Sequence, residues 1–223
     1  DIHKGLGNAN KIMNRILFDG FENFGLRIAE INGGSLRNAI PRESKAIVVI
    51  DTISKEPFFF EMNELINSIY AEFKSIEPDL SIEISETNIP KKVMELSAQG
   101  GFIKSIHATL NGVYRMSPDI DGLVETSNNI AKVIVKDGNI SVNCLTRSSS
   151  ESNKIDLANS IRSAFELAGF EVEFSGAYPG WLPNINSEIL KTLDTLYEKL
   201  HGEKAKIAAC HAGLECGILG HNY

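Results

Sequence analysis

Apolar residues recur at two spacings along the chain, and these spacings predict the order of helices and strands. Residues 8–22 carry apolar side chains at helical spacing, and residues 24–31 alternate apolar and polar as a half-buried strand does. A β-branched run at 46–50 predicts a second strand, and the apolar positions of 57–73 predict the clearest amphipathic helix. Alternation over 80–84 predicts a third strand. The predicted order is therefore helix, strand, strand, helix, strand.

The second half of the chain repeats this order. Its predicted members are a helix over 101–112, strands over 130–135 and 140–145, a helix over 154–168 and a strand over 170–174. Asp137-Gly138 is typical of a tight hairpin turn, because a type I′ turn needs positive φ at both central residues. Asn153 is predicted to cap the following helix and Gly169 to end it. We interpret the repeat as two ferredoxin-like helix-strand-strand-helix-strand halves, an α/β (α+β) arrangement.

A change of pattern follows residue 177. Residues 178–183 contain two prolines and a glycine, which is typical of a boundary, and we therefore divide the chain into 1–177 and 178–223. A helix over 185–200, ended by Gly202, and a buried strand over 205–210 are predicted beyond it. One helix and one strand cannot enclose a core, so this piece is expected to complete a larger α/β domain. Because the chain begins at Asp1 rather than Met, we expect it to be part of a larger protein.

Composition and charge exclude several classes of function. The 223 residues are 43% hydrophobic and 23% charged, as in a soluble globular protein, and no apolar run approaches the ~20 residues that a membrane helix needs. The net charge is −7, and lysine and arginine form no dense block, which argues against a nucleic-acid partner. Three cysteines are an odd number and favour a reducing compartment, so we expect a cytoplasmic protein without a membrane partner.

Four separated stretches resemble, in the same order, the aminoacyl-histidine dipeptidases of the di-zinc exopeptidase superfamily. They are Asp1–Asn10, Glu125–Asn129, Tyr178–Trp181 and Ala209–Gly217. The resemblance covers nearly the whole chain and implies a lid domain over 1–177 and a returning segment of the catalytic domain over 178–223. It implies a cytosolic hydrolase of Xaa-His and other dipeptides that uses two zinc ions, with cobalt or manganese as substitutes. It also implies a homodimer formed through the lid.

The resemblance further implies that this chain alone is inactive. In the family the remaining zinc ligands and the general base belong to motifs that precede the matching region, and none of those motifs occurs in this sequence. We therefore predict no catalytic residue within the chain. The other hypothesis is a non-catalytic α/β interaction or dimerisation module, which would be indifferent to zinc.

His211 is the candidate metal ligand. It follows a short apolar run and lies on a glycine-rich turn, which is how the end of a strand can present a ligand or a base. The resemblance assigns the matching histidine to one of the two zinc ions. Spacing alone leaves two alternatives open, a packed core histidine or a structural zinc site built from Cys210, His211, Cys216 and His221.

Asn38 and Arg147 are the candidate substrate-binding residues. Residues 33–41 resemble the superfamily segment whose lid asparagine is thought to contact substrate, and Asn38 is the matching position. Arg147 matches a lid arginine that grips the C-terminal carboxylate of the substrate, a task suited to the planar guanidinium fork. Composition alone also allows Asn38 to be an ordinary turn residue and Arg147 to be a solvated strand end.

Overall fold

The computed structural model describes residues 2–181, 183–184, 186–209 and 218–219. Within these ranges the chain forms five α-helices, five strands and two short 3₁₀ helices. The α-helices are α1 Ala9–Phe24, α2 Lys55–Phe73, α3 Leu96–Ala108, α4 Glu151–Glu166 and α5 Glu188–His201. The strands are β1 Arg27–Gly33, β2 Ser44–Val49, β3 Gly112–Met116, β4 Val124–Lys136 and β5 Asn139–Ser148, and the 3₁₀ helices are Ile2–Lys4 and Thr52–Ser54. The predicted α+β class is confirmed.

The strands form one antiparallel sheet built around the long strand β4. β5 pairs with one edge of β4 over almost its whole length, from Thr126 to Lys136. The other edge is shared, because β3 pairs with the first part of β4 and β1 pairs with residues 133–135. β2 then pairs with the outer edge of β1. β4 is therefore the only described strand that contacts three others.

A bulge at Ala131 changes which residues of β4 face the helices. The β4–β5 register is regular up to Ile130 and shifts before Lys132, so Ala131 is an extra residue on β4. On the helix-facing side lie Ile130 before the bulge and Val133 after it. Even-numbered positions therefore face the helices before Ala131, and odd-numbered positions do so after it.

Helices α1 to α4 cover one face of the sheet and enclose a single core. In this layer α2 contacts α1, α1 contacts α3, and α3 contacts α4. The largest fully buried apolar side chains include Met62 on α2, Phe102 and Ile103 on α3, and Leu157 on α4. Each such side chain contributes about 1.5–3 kcal/mol through its removal from water. The core therefore unites both predicted halves into one packed unit.

The structure confirms most predicted helix and strand positions and corrects one cap. The turn at Asp137-Gly138 has φ of 52° and 80°, as a type I′ hairpin requires. α4 is capped by Ser150, whose hydroxyl accepts a hydrogen bond from the backbone N–H of Asn153, so the prediction that Asn153 caps the helix was wrong. The Asn153 side chain instead donates to Glu125 Oε1 at 2.6 Å.

The prediction of a strand at the end of each half was wrong. Residues 80–84 and 170–174 contribute half-buried side chains to the core, yet neither segment joins the sheet. At Ile82 the backbone groups that would pair with a strand are already bonded to the Tyr70 hydroxyl. This hydroxyl accepts a hydrogen bond from the Ile82 N–H at 2.7 Å and donates to the Ile82 carbonyl at 3.1 Å. A side chain thus satisfies backbone groups that would otherwise need a neighbouring strand. In contrast, β3 was not predicted.

The segment after the predicted boundary behaves differently from the core. Gly202 ends α5 with φ of 75°, as predicted, but no residue of α5 is buried. Residues 205–209, the described part of the predicted buried strand, form no strand and are mostly exposed, so that prediction was wrong for them. Residue 210 lies outside the described ranges. No described strand lies beside this segment to pair with it. The division into 1–177 and 178–223 stays a prediction.

Candidate functional site

The loop that carries Asn38 lies against β4 at the bulge. The loop is closed at its base, where the Gly34 N–H donates to the Glu43 carbonyl at 3.0 Å. Gly34 has φ of 74°, and a Cβ there would lie closer than 3.0 Å to the Ala131 carbonyl oxygen. Glycine therefore permits the loop to approach the strand backbone. Asn38 lies in the exposed turn of this loop, and its side chain bonds to no described residue.

Two asparagines fix the Asn38 loop in place. Asn129 on β4 donates from Nδ2 to the Ala39 carbonyl at 2.7 Å, and its Oδ1 accepts from Asn8 Nδ2 at 3.1 Å. Asn8 is also the N-cap of α1, because its side-chain oxygen accepts from the Lys11 N–H. The residue next to Asn38 is thus tied to both the sheet and the first helix.

Asparagine side chains also form hydrogen bonds with backbone groups of β4 that have no neighbouring strand. Between the segments of β4 that pair with β3 and with β1, Ile130 has no backbone partner on that edge. Its N–H donates to Asn111 Oδ1 at 2.9 Å, and its carbonyl accepts from Asn8 Nδ2 at 3.1 Å and Asn10 Nδ2 at 3.2 Å. The buried polar stretch Glu125–Asn129, to which sequence reasoning gave no chemistry, therefore belongs to the framework that positions the loop.

Arg147 projects from the face of the sheet that holds this loop. Arg147 pairs with Ser127, and Leu145 pairs with Asn129. Paired residues of an antiparallel ladder project to the same face, so Arg147 lies on the same side as the Asn129 amide that binds Ala39. The side chain is half-buried and makes no hydrogen bond or ion pair within the described ranges. The structure therefore brings the Asn38 loop and Arg147 to the same end of one face.

Three ionisable groups around this part of the sheet are buried or paired with neighbouring groups. The buried Glu125 carboxylate accepts from Asn153 Nδ2 and lies 3.4 Å from Arg115 Nε. Burial raises the pKa of the Cys144 thiol to about 11, so Cys144 is protonated at neutral pH and is not an activated nucleophile. Burial lowers the pKa of Lys11, whose Nζ donates to three carbonyls at the end of α3. Of these three groups, all within the described part of the chain, none is an activated nucleophile.

Comparison with known proteins agrees with this architecture. Residues 1–80 match the peptidase dimerisation domain family. The whole chain is 36% identical to the cytosol non-specific dipeptidase of Escherichia coli (strain K12) and covers 46% of that protein. The solved aminoacylhistidine dipeptidase of Vibrio alginolyticus superimposes with a TM-score of 0.94, at 38% identity, over 99% of this chain and 45% of that chain. The chain is a homologue of these dipeptidases. It spans just under half the length of both relatives.

The described part of this dipeptidase homologue does not supply a metal site. No group of three or more histidine, cysteine, aspartate or glutamate side chains within the described ranges could hold an ion. His211 lies outside those ranges, as do Cys210, Cys216 and His221 of the alternative structural zinc site. Both metal hypotheses stay predictions. In the same ranges no helix is long and apolar enough to span a bilayer.

Proposed function

We propose that the chain forms the lid, residues 1–177, and a returning catalytic-domain segment, residues 178–223, of a cytoplasmic metal-dependent dipeptidase. Its substrates would be Xaa-His and other dipeptides. The observation that carries this proposal is the similarity to two dipeptidases along the entire chain, at 36% and 38% identity. Both relatives are about twice as long, which supports placing the remaining metal ligands and the general base outside these residues.

The geometry of the sheet supports a binding role for the lid. The Arg147 guanidinium would pair bidentately with the carboxylate of the dipeptide, and the Asn38 amide would hydrogen-bond to its backbone. Because Asn129 donates a hydrogen bond to the carbonyl of Ala39, the amide would be presented from a loop that is attached to the sheet at the adjacent residue. Two fixed contacts would orient the scissile bond, and orientation of this kind lowers the entropic part of the barrier.

The use of zinc is proposed from the family resemblance alone, because no described residue provides support for it. His211 would be the one ligand that this chain contributes, with cobalt or manganese as substitutes for zinc. When bound, a pair of such ions supplies an activated water and polarises the scissile carbonyl. No step of the binding role described above depends on the metal.

Hydrolysis of an Xaa-His dipeptide in the presence of zinc or cobalt tests the proposal. The full-length protein should turn over the substrate and lose activity on His211→Ala, whereas the 223-residue chain should be inactive. Turnover by the chain alone would show that the active site is misplaced. Failure of the full-length protein to cleave any dipeptide would favour the non-catalytic module.

Substitution of Arg147 tests the lid contact separately. Loss of a charge-assisted hydrogen-bonded pair costs about 1.5–3 kcal/mol, so Arg147→Ala should lower kcat/KM about 10- to 150-fold. Arg147→Lys should recover part of the loss, and Lys136→Ala, at the exposed far end of β4, is the matched charge control. Against a dipeptide whose carboxylate is replaced by an amide, wild type and Arg147→Ala should be equally slow. A preserved difference would contradict the assigned role.

A homodimer formed through the lid is the remaining part of the proposal. The match of residues 1–80 to the peptidase dimerisation domain family favours it. The dimer is compatible with the enzyme as well as with the interaction module. Sedimentation equilibrium of the 223-residue chain should give twice the mass of 24.5 kDa. A monomer at all concentrations up to about 100 μM would argue against an obligate dimer, whose interfaces are large and hydrophobic.

A further inference from the structure

Three buried oxygen atoms face a small cavity between α1 and the β1–β2 hairpin. They are Oδ1 of Asn10, Oδ1 of Asn14 and the hydroxyl of Ser44, and none has a hydrogen-bond partner among the residues that the structure describes. Asn10 and Asn14 are only 3% and 2% exposed. They lie one turn apart on the same side of α1, and Ser44 is the first residue of β2. Buried polar atoms in folded proteins are rarely left without a partner.

The two amide groups are held in one orientation. Asn10 Nδ2 donates to the carbonyl of Ile130 at 3.2 Å and reaches that of Gly33 at 3.5 Å. Asn14 Nδ2 donates to the carbonyl of Ile103 at 3.2 Å. Rotating either amide by 180° would lose these bonds and point an oxygen at a carbonyl. Both Oδ1 atoms must therefore find a donor on the cavity side.

The cavity has the size of a single water molecule. Its volume is about 10 Å³, and apart from Asn10, Asn14 and Ser44 it is lined by Met13, Leu17, Ile31, Ile106 and Val133. A Cβ placed on Gly33 would lie 2.5 Å from Ser44 Oγ and closer still to Asn10 Oδ1, so these two oxygens are near neighbours. The site is polar on one side and apolar on the other.

We propose that one water molecule is bound in this cavity. It donates its two hydrogens to Oδ1 of Asn10 and Oδ1 of Asn14, and it accepts one hydrogen bond from the Ser44 hydroxyl. This arrangement satisfies all three atoms at once, within the two to four hydrogen bonds that a buried water makes. A calcium or magnesium ion fits poorly, because it requires six or more oxygen ligands and the remaining wall is apolar.

The bound water connects the first helix to the base of the Asn38 loop. Ser44 directly follows the loop residue Glu43, whose carbonyl accepts from Gly34. The water therefore links α1 and β2 at the point where the loop leaves the sheet. This inference is independent of the dipeptidase proposal, because it rests on three oxygen atoms and a cavity within the described core.

Water–methyl nuclear Overhauser effects on the 223-residue chain test the proposal. In a deuterated sample with protonated isoleucine and valine methyl groups, cross peaks of the sign typical of a long-lived internal water should join the water resonance to Ile31, Ile106 and Val133. The methyl group of the exposed Ile53 is the control and should lack such a peak. Absence of the peaks at all three cavity methyl groups would overturn the proposal.

Two variants separate bound water from an exchanging hydroxyl. Ser44→Ala removes the hydroxyl but leaves both amide acceptors, so the cross peaks should persist; their loss would mean that the signal came from Ser44 itself. Asn14→Leu removes one acceptor and places a side chain of similar size at the cavity, so the peaks should disappear.

If Asn14→Leu does not fold, a crystal structure of the unchanged chain decides the question. One density peak should lie about 2.5–3.0 Å from each of the three oxygens. A cavity without density, or a Ser44 hydroxyl bonded directly to Asn10 Oδ1, would contradict the proposal.

Discussion

Replacing Gly34 by alanine tests how closely the Asn38 loop approaches β4. An L-residue in the left-handed region costs about 1–2 kcal/mol, and Gly34 has φ of 74°. The new Cβ would also come closer than 3.0 Å to the Ala131 carbonyl oxygen, which belongs to the backbone of the central strand and cannot rotate away. Overpacking of this kind adds about 1–3 kcal/mol. Gly34→Ala should therefore lower the free energy of unfolding by about 2–5 kcal/mol.

Gly138→Ala is the matched control for this measurement. Gly138 has a similar φ of 80°, but no atom lies within 4 Å of its Cβ position. The variant should lose only the conformational contribution of about 1–2 kcal/mol. Urea unfolding followed by circular dichroism, with equal m-values, gives both free energies. A difference between the two variants below about 0.5 kcal/mol would refute the close approach of the loop to Ala131.

Two further measurements test the buried polar groups. Gln99 is fully buried, with Oε1 accepting from the Ile28 N–H at 2.7 Å and Nε2 donating to the Leu26 carbonyl at 2.6 Å. Gln99→Met fills similar space but leaves two buried backbone groups without their partners. It should therefore lower the free energy of unfolding in urea by about 2–5 kcal/mol, and an unchanged value would contradict this. The pKa of the Cys144 thiol is raised by burial from 9.0 to about 11, so the folded chain keeps a proton that the unfolded chain releases. Its free energy of unfolding should therefore fall as pH rises from about 9 to 11, more steeply than in Cys144→Ala, and equal slopes would count against the buried thiol.

Regular amphipathic elements could be predicted from the sequence, whereas buried polar ones could not. The helix over 57–73 has a clear apolar face, and Asp137-Gly138 determines its own turn through local backbone preference. In the first half of β4, residues 125–129 are polar and nonetheless buried. Its partners, such as Asn8 and Ser148, are remote in sequence, so no local pattern reveals the strand.

The third strand of each half illustrates a different limit. Alternation over residues 80–84 correctly indicated which side chains are half-buried, but alternation does not require a neighbouring strand. The Tyr70 hydroxyl occupies the hydrogen-bonding groups of Ile82, and no sequence pattern announces that contact. β3 could not be predicted because it is short and mostly exposed, so it lacks the alternation of buried and exposed residues by which a strand is recognised.

Sequence reasoning identified candidate site residues but not what positions them. Asn38 and Arg147 came from the resemblance, and the structure places the Asn38 loop and Arg147 at one end of the same face, while their binding roles stay predictions. Asn129 was assigned no role, although it binds the Ala39 carbonyl 90 residues away in the chain. A side chain that acts on a distant backbone oxygen has no local signature. His211 lies outside the described ranges and stays a prediction.

The extra residue Ala131 has a consequence for comparing this protein with its relatives. In β4, even-numbered residues face the helices before Ala131 and odd-numbered residues face them after it. In β5, even-numbered residues face the helices along the whole strand. In an alignment with a relative that lacks this residue, a gap placed further along β4 would exchange interior and exterior positions only between Ala131 and that gap. Deleting this single alanine would leave a regular strand in which Ile130, Val133 and Val135 still face the helices, because Ile130 and Lys132 already pair with the consecutive residues Cys144 and Asn143 of β5. The bulge therefore absorbs a one-residue change in the length of β4 without changing which side chains face the helices.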